Sequence, residues 1–217
     1  MRLLPLVPSA HASSWYAVVA DEGPGLAPPA RAACRFCGWT EPGWLELFHL
    51  NGDHEDAAPG NLVWACVLCH LHQHLDRPQI EQEAALIWLP DMSPAAVVAL
   101  ARHCHLVLTR HDRTPGSTRR KRRNGAAVAA AETALKALLA QRRSMEIRLG
   151  TASPRDLGAA LLGLAEDVYA LRSDLLAGIR LLPLGRYFRD GTDIYPQLLL
   201  GAARQGAHQP GREDQRC

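Results

Sequence analysis

Apolar and polar positions alternate or recur along the chain with periods that predict its elements. Residues 1–33 read as an extended lead-in, with Trp15-Tyr16-Ala17-Val18-Val19 as a short strand and a Gly/Pro-rich loop from Asp21 to Pro29. Leu86-Ile87-Trp88-Leu89 is a brief apolar run stopped by Pro90, which suits a buried strand, although periodicity alone does not separate it from a helical turn. A helix then starts with Ser93 as N-cap and Pro94 in the first position, and Val97, Leu100, Ala101, Cys104 and Val107 carry it to about Thr109. Ala126 to Leu149 is Ala/Leu-rich and favours helix, with Gly150 as its stop. Ser153 and Pro154 open a second helix, and Leu157, Leu161, Leu164, Val168, Leu171 and Leu175 keep helical spacing to an end near Gly178. Arg180-Leu181-Leu182-Pro183 begins an irregular stretch, and Asp193 to Ala203 reads as one more short helix. The chain has no internal repeat.

These elements divide the 217 residues into four parts. Residues 1–110 form a small module with its lead-in and first long helix. Residues 111–125 form a basic linker, 126–203 a helical region, and 204–217 a polar tail expected to be disordered. The expected class is α+β, with a short β-hairpin in the first part and a mainly α-helical C-terminal region.

Charge divides the chain in the same place. Residues 1–100 hold four Arg and no Lys against eleven Asp or Glu, whereas residues 101–217 hold twenty Lys or Arg against eleven acids. The overall +2 therefore hides an acidic half that repels phosphate and a basic half that attracts it, or an acidic protein. No window approaches the ~18 uninterrupted apolar residues of a membrane span, and the start lacks a signal-peptide pattern. That places the chain in the cytosol, where six cysteines favour metal binding over disulfides.

The cysteines carry the most specific chemistry. Cys34-Arg35-Phe36-Cys37-Gly38 is a Cys-x-x-Cys knuckle, and Gly38 permits the tight turn that aims backbone N–H groups at the sulfurs. Cys66-Val67-Leu68-Cys69 supplies a second pair. Together Cys34, Cys37, Cys66 and Cys69 give the closed tetrahedral set of one structural Zn2+ ion. A filled set of four thiolates leaves no position for a reacting water, so such a zinc braces a fold and does not act as a Lewis acid.

Between and after these pairs stand Phe48-His49, Asn61 and His70. This order resembles the HNH endonuclease module, a treble-clef ββα-metal fold often braced by two Cys-x-x-Cys pairs. The resemblance puts His49 at the general base, Asn61 at the loop asparagine and His70 at the helical metal ligand. Phe48 stands where the family has its second metal ligand, and phenylalanine cannot coordinate. Residues 41–60 also carry Glu41, Glu46, Asp53, Glu55 and Asp56 with no Lys or Arg, which disfavours a phosphate backbone. The reading is a degenerate site in a hairpin braced by hydrogen bonds, with no enzymatic activity. His70 and His74 are four residues apart and would share a helix face, a pair that could form a second, weak metal site.

A closer resemblance rests on more of the chain. The start Met1-Arg2-Leu3-Leu4-Pro5-Leu6, the knuckle at 34–38, His49-Leu50-Asn51-Gly52-Asp53-His54, the run from Asn61 to His70, Leu86-Ile87-Trp88-Leu89-Pro90-Asp91-Met92-Ser93 and Ile179-Arg180-Leu181-Leu182-Pro183 look like the IcmJ/DotN family. The similarity is dense over residues 1–110 and thin beyond. It implies a non-catalytic, zinc-braced component of the type IV coupling complex of a type IVB (Dot/Icm) secretion system. It also implies binding to the C-terminal extension of a DotL-like coupling ATPase beside adaptors such as IcmS and IcmW, peripheral association with the inner membrane, and support for effector protein delivery. No small-molecule substrate is expected. Two other functions compete: a metal-dependent HNH endonuclease, and a nucleic-acid binder acting through Arg119-Arg120-Lys121-Arg122-Arg123, a basic run without interleaved aromatics.

Overall fold

In the computed structural model, Leu45–His49 (β1) and Leu62–Cys66 (β2) pair antiparallel, from Leu45 opposite Cys66 to His49 opposite Leu62. Residues 2–15, 27–111 and 125–206 are described, with side chains to 204. Much of the Trp15–Val19 strand, the loop from Asp21, the basic linker with its run at 119–123, and the tail therefore lie outside the described residues. The helix Val67–His70 (α1) follows β2 without a linker, so one Cys-x-x-Cys pair spans a strand end and a first helical turn.

The knuckle docks on this hairpin through its backbone. Arg35 N–H donates to Trp64 O at 2.8 Å, and Cys34 N–H donates to Trp39 O at 2.7 Å. Gly38 turns the chain at φ 74°, where a side chain would be strained. The lead-in crosses the same face: Leu4 N–H donates to Arg35 O, and Ser9 N–H to His72 O.

A short helix, Ile80–Glu83 (α2), precedes the strand Ala84–Trp88 (β3), in agreement with the apolar run there. The 17-residue helix Pro94–Arg110 (α3) starts as expected, with the Ser93 side chain accepting from Ala96 N–H. The next helical stretch breaks at Gln141 into Ala126–Ala140 (α4) and Arg142–Leu149 (α5). Gly150 then ends it in the left-handed conformation, φ 75°.

The single helix expected from Ser153 to Gly178 is three pieces instead: Pro154–Leu162 (α6), Glu166–Ala170 (α7) and Arg172–Leu175 (α8). The leucines of the first turns have core beneath them, and most of the later ones do not. Leu157 and Leu161 are buried, whereas Leu171 and Leu175 are 58% and 57% exposed. Gly163 weakens helix at the point where packing support ends. Gly158 lies under Trp15, where a Cβ would stand 2.6 Å from the indole.

The stretch from Ile179 is not irregular. Ile179–Pro183 (β4) pairs antiparallel with β3, Trp88 facing Ile179 and Ala84 facing Pro183. Its partner lies far back in sequence, so no local pattern announces the pairing. Phe188–Arg189 (β5) and Thr192–Asp193 (β6) make a small hairpin turned at Asp190 and Gly191, and Tyr195–Gly206 (α9) follows. The protein is thus a mixture of helices with small antiparallel sheets.

One buried cluster draws on both halves of the chain: Leu6, Trp44, Leu68 and Leu86 pack with Met145, Leu157, Leu181, Tyr195 and Leu199. Cys34, Cys66 and Cys69 are part of it, and Cys37 packs against it. Beside it, Ile87, Val97, Ala101, Leu138 and Leu182 tie α3 and α4 to the β3–β4 pair. Among the described residues, no helix is long and apolar enough to cross a membrane.

A candidate metal centre and the histidines beside it

The fold brings Cys34, Cys37, Cys66 and Cys69 together from the knuckle, the end of β2 and the start of α1. Their four Sγ atoms all lie within 4.8 Å of one another. Cys37 Sγ and Cys66 Sγ are 3.6 Å apart. A tetrahedral zinc with bonds of about 2.3 Å separates its sulfurs by roughly 3.8 Å, so the spacing suits a metal. It is too long for a disulfide, whose sulfurs stand about 2.05 Å apart. Three of the four cysteines are buried and Cys37 is half-buried, so an ion held there is shielded from water.

Electrostatics at the centre favour a cation. Hydrogen bonds from Cys34, Cys66 and Cys69 hold the Cys37 thiol far below its ordinary value, while burial pushes the Cys66 and Cys69 thiols well above theirs. The Cys34 thiol is also lowered, to about 7, so two sulfurs that ionise readily stand beside two that keep their protons, a cluster whose charge a divalent ion completes by displacing those protons. Cys37 N–H also points at Cys34 Sγ, 3.5 Å away. From α3, Arg102 donates to Cys37 Sγ at 3.3 Å and to Cys66 Sγ at 3.9 Å, with its guanidinium 4.1 Å over the Trp39 ring. Sequence spacing gave no sign of Arg102; the signal is a buried arginine on the inner face of a helix, visible only once that helix is placed.

Of the three positions singled out by the nuclease resemblance, His49 and His70 belong to one gathering of imidazoles. Asn61 is committed to its own loop: its Oδ1 accepts from Asn51 N–H at 2.9 Å, and its Nδ2 donates to Asp56 O at 2.9 Å. His49 ends β1, its backbone held by the Gln73 amide and its ring stacked on His54 at 4.5 Å between centroids. His70 sits on α1 with Nδ1 2.9 Å from Glu46 Oε2. Phe48 is buried against Phe36, 4.7 Å between rings.

The acidic count over 41–60 is misleading at one place. Glu46 is no surface acid; it is nearly buried and receives Arg189 at 2.7 Å and the Tyr187 hydroxyl at 3.0 Å. Burial alone would raise its carboxyl, but the hydrogen bond and charge of His70, together with Arg189, hold it below its ordinary value. The strand β5, far away in sequence, supplies the neutralising charge.

His74 lies beside His70, their Nε2 atoms 3.1 Å apart, and His54 meets His74 edge-on at 4.9 Å between centroids. Four imidazoles thus gather between the β1–β2 loop and the turns after α1. No family model and no curated protein matches the chain. What the fold and the centre define is a mixed α and β protein with a buried four-cysteine cluster able to hold a metal ion.

Proposed function

We propose that this chain is a non-catalytic, zinc-braced adaptor of the IcmJ/DotN kind, acting in the coupling complex of a type IVB secretion system. The observation that carries the non-catalytic part is the burial of Phe48 against Phe36, which fills with hydrocarbon the strand position where a nuclease would place a metal ligand. Zinc is the metal that best suits four thiolates in a closed, buried set. The treble-clef reading is supported by the order knuckle, hairpin, helix, with cysteine pairs at the knuckle and at the strand–helix junction.

In this reading the zinc fastens the hairpin, and Arg102 fastens α3 to the zinc. The docking function is supported by the family-like motifs that fall on this scaffold: the lead-in, the knuckle, β2–α1, β3 and β4. The partner is the C-terminal extension of a DotL-like ATPase, with IcmS- and IcmW-like adaptors in the same assembly at the inner membrane. The test is affinity capture of the tagged chain from native cells under conditions that preserve membrane complexes. Recovery of a coupling ATPase supports the proposal; its absence, with the chain itself recovered zinc-loaded, overturns it.

The gathering of His49, His54, His70 and His74 is the one observation that favours the nuclease reading. Plasmid nicking with Mg2+ or Mn2+ decides it. Cutting that disappears in His49→Ala would replace the adaptor-only function with an enzymatic one.

A further inference from the structure

We infer that the exposed apolar side of α7 and α8 is a docking surface for a basic amphipathic helix of another protein. This goes beyond the adaptor reading and does not rest on it.

Helices of five and four residues have too few hydrogen bonds to stand alone. Here they are held from one side. The Tyr169 hydroxyl donates to Ala10 O at 2.9 Å and accepts from Ala10 N–H at 3.1 Å, so one side chain clamps the segment to the lead-in. Arg172 lies over the Tyr169 ring at 4.5 Å and donates to Tyr169 O at 3.3 Å. Leu176, just past α8, is buried in the main core. Backbone bonds carry the helical path across the junction of α7 and α8: Leu171 N–H donates to Val168 O at 3.0 Å, and Leu175 N–H to Leu171 O at 3.1 Å.

Another side of this ribbon is apolar and open to solvent. Val168, Leu171 and Leu175 follow one another at spacings of three and four residues, which puts them on one side of the turns. Leu164 precedes them by four residues, in the link from α6. Leu164, Val168, Leu171 and Leu175 are 36%, 37%, 58% and 57% exposed. A single exposed leucine is ordinary, but a row of such residues on a clamped segment is a patch of the kind that marks an interaction site.

Charge selects the occupant. Asp167 and Asp174 each stand one residue before a member of the row, so they flank it on the same side, seven residues apart. Glu166 adds a third acid at the start of α7, and all three are exposed. Arg172, the one base between Leu164 and Leu175, is turned onto Tyr169 instead. The complement is a helix with apolar residues at successive turns and Lys or Arg along one flank. An anionic lipid surface and a nucleic acid are both repelled by the same acids. A second copy of this chain would bring another acidic flank to the first. The face is small, so an affinity on the order of 10 µM is expected.

The test uses the full chain, purified with zinc present, and a fluorescein-labelled peptide of leucine and lysine with its leucines at helical spacing. Two control peptides replace every lysine by glutamate, or keep the composition and scramble the order. Fluorescence anisotropy at physiological salt should show the basic amphipathic peptide binding at least about tenfold more tightly than either control. The double variant Leu171→Ser with Leu175→Ser should weaken that binding about tenfold or more. Both side chains are exposed, so the variant should keep the zinc content and circular dichroism of wild type. Asp167→Lys with Asp174→Lys should reverse the preference, so that the glutamate peptide binds better. Ile147→Ser, at an exposed apolar position on α5, should change nothing. Equal binding of the scrambled peptide, undiminished binding in the leucine variant, or no reversal in the lysine variant overturns the proposal. So does a dimer in sedimentation that the leucine variant abolishes, because a second copy then covers the face.

Discussion

Arg102 reaches from α3 to within 3.3 Å of Cys37 Sγ, so this 17-residue helix is fastened to the four-cysteine cluster by a charge-assisted hydrogen bond. Burial works against the guanidinium, but the charges of Cys66 and Cys37 more than offset it and hold it firmly protonated. Four thiolates around a divalent ion leave two negative charges in an apolar setting, and Arg102 compensates part of them. Arg102→Met should therefore speed zinc loss to a chelator about tenfold, while Arg102→Lys should recover only part, because one ammonium cannot both bond the sulfur and stack on Trp39. Chelator-competition kinetics read this directly. Equal release rates in wild type and Arg102→Met would show that Arg102 only fills space.

The cysteines divide into four that cluster and others that stand apart. Cys34→Ser removes one of four thiolates from a cluster that is part of the main core, so it should abolish stoichiometric zinc binding and melt the knuckle and hairpin together. Cys104 instead packs with Leu108, Val128 and Ala131 between α3 and α4. Cys104→Ser should cost on the order of 1 kcal/mol through an added buried hydroxyl and leave one zinc per chain. Elemental analysis with near-ultraviolet circular dichroism distinguishes the two. Normal zinc content in Cys34→Ser would contradict the ligand assignment. Cys217, expected to be equally dispensable, lies outside the described residues.

Local signals were legible in the sequence and distant ones were not. The knuckle, the Ser93–Pro94 helix start, the Gly150 stop and the apolar run at 86–89, most of which lies in β3, each carry their signature within a few residues. The clustering of the four cysteines is legible for the same reason. By contrast, β4 is a strand only because β3 is there to pair with it. The run of leucines after Gly163 keeps helical spacing with no core to face, so periodicity overstated the helix. At the site, Glu46 read as surface charge because Arg189 and Tyr187 reach it from the other end of the chain. Arg102 acquires its role only through the placement of α3.

His105 gives stability a pH dependence. It is buried on α3 with Nδ1 2.9 Å from the Tyr195 hydroxyl, and burial pushes its imidazole down to about 4. The folded state thus holds His105 neutral through a range in which the unfolded chain, titrating near 6.5, takes up a proton. Its contribution is fully present above about pH 6.5 and is lost as pH falls from there toward 4, because the unfolded state binds more protons across that window. The loss is of order 1–3 kcal/mol at the lower end. Urea unfolding at pH 7 and pH 5 should show a smaller drop for His105→Gln than for wild type. An identical drop in both would mean that His105 does not set the acid sensitivity.

Gly178 and Trp88 test whether β3 and β4 hold the two halves of the chain together as packed surfaces. Trp88 ends β3, and its ring lies directly on Gly178: a Cβ there would stand 2.1 Å from the indole. The indole also carries the Arg148 guanidinium at 4.3 Å, so the ring cannot simply swing away without giving up that contact. Leu89 N–H donates to Gly178 O at 2.9 Å, which fixes the backbone at the same point. Gly178→Ala should therefore destabilise by about 1–3 kcal/mol, as overpacking does. Trp88→Leu should cost a comparable amount through lost burial. The double variant should cost clearly less than the two added together, since the smaller side chain makes room for the methyl group. Strict additivity in denaturant unfolding would mean that the two positions do not press on each other, and that the β3–β4 junction is looser than its burial implies.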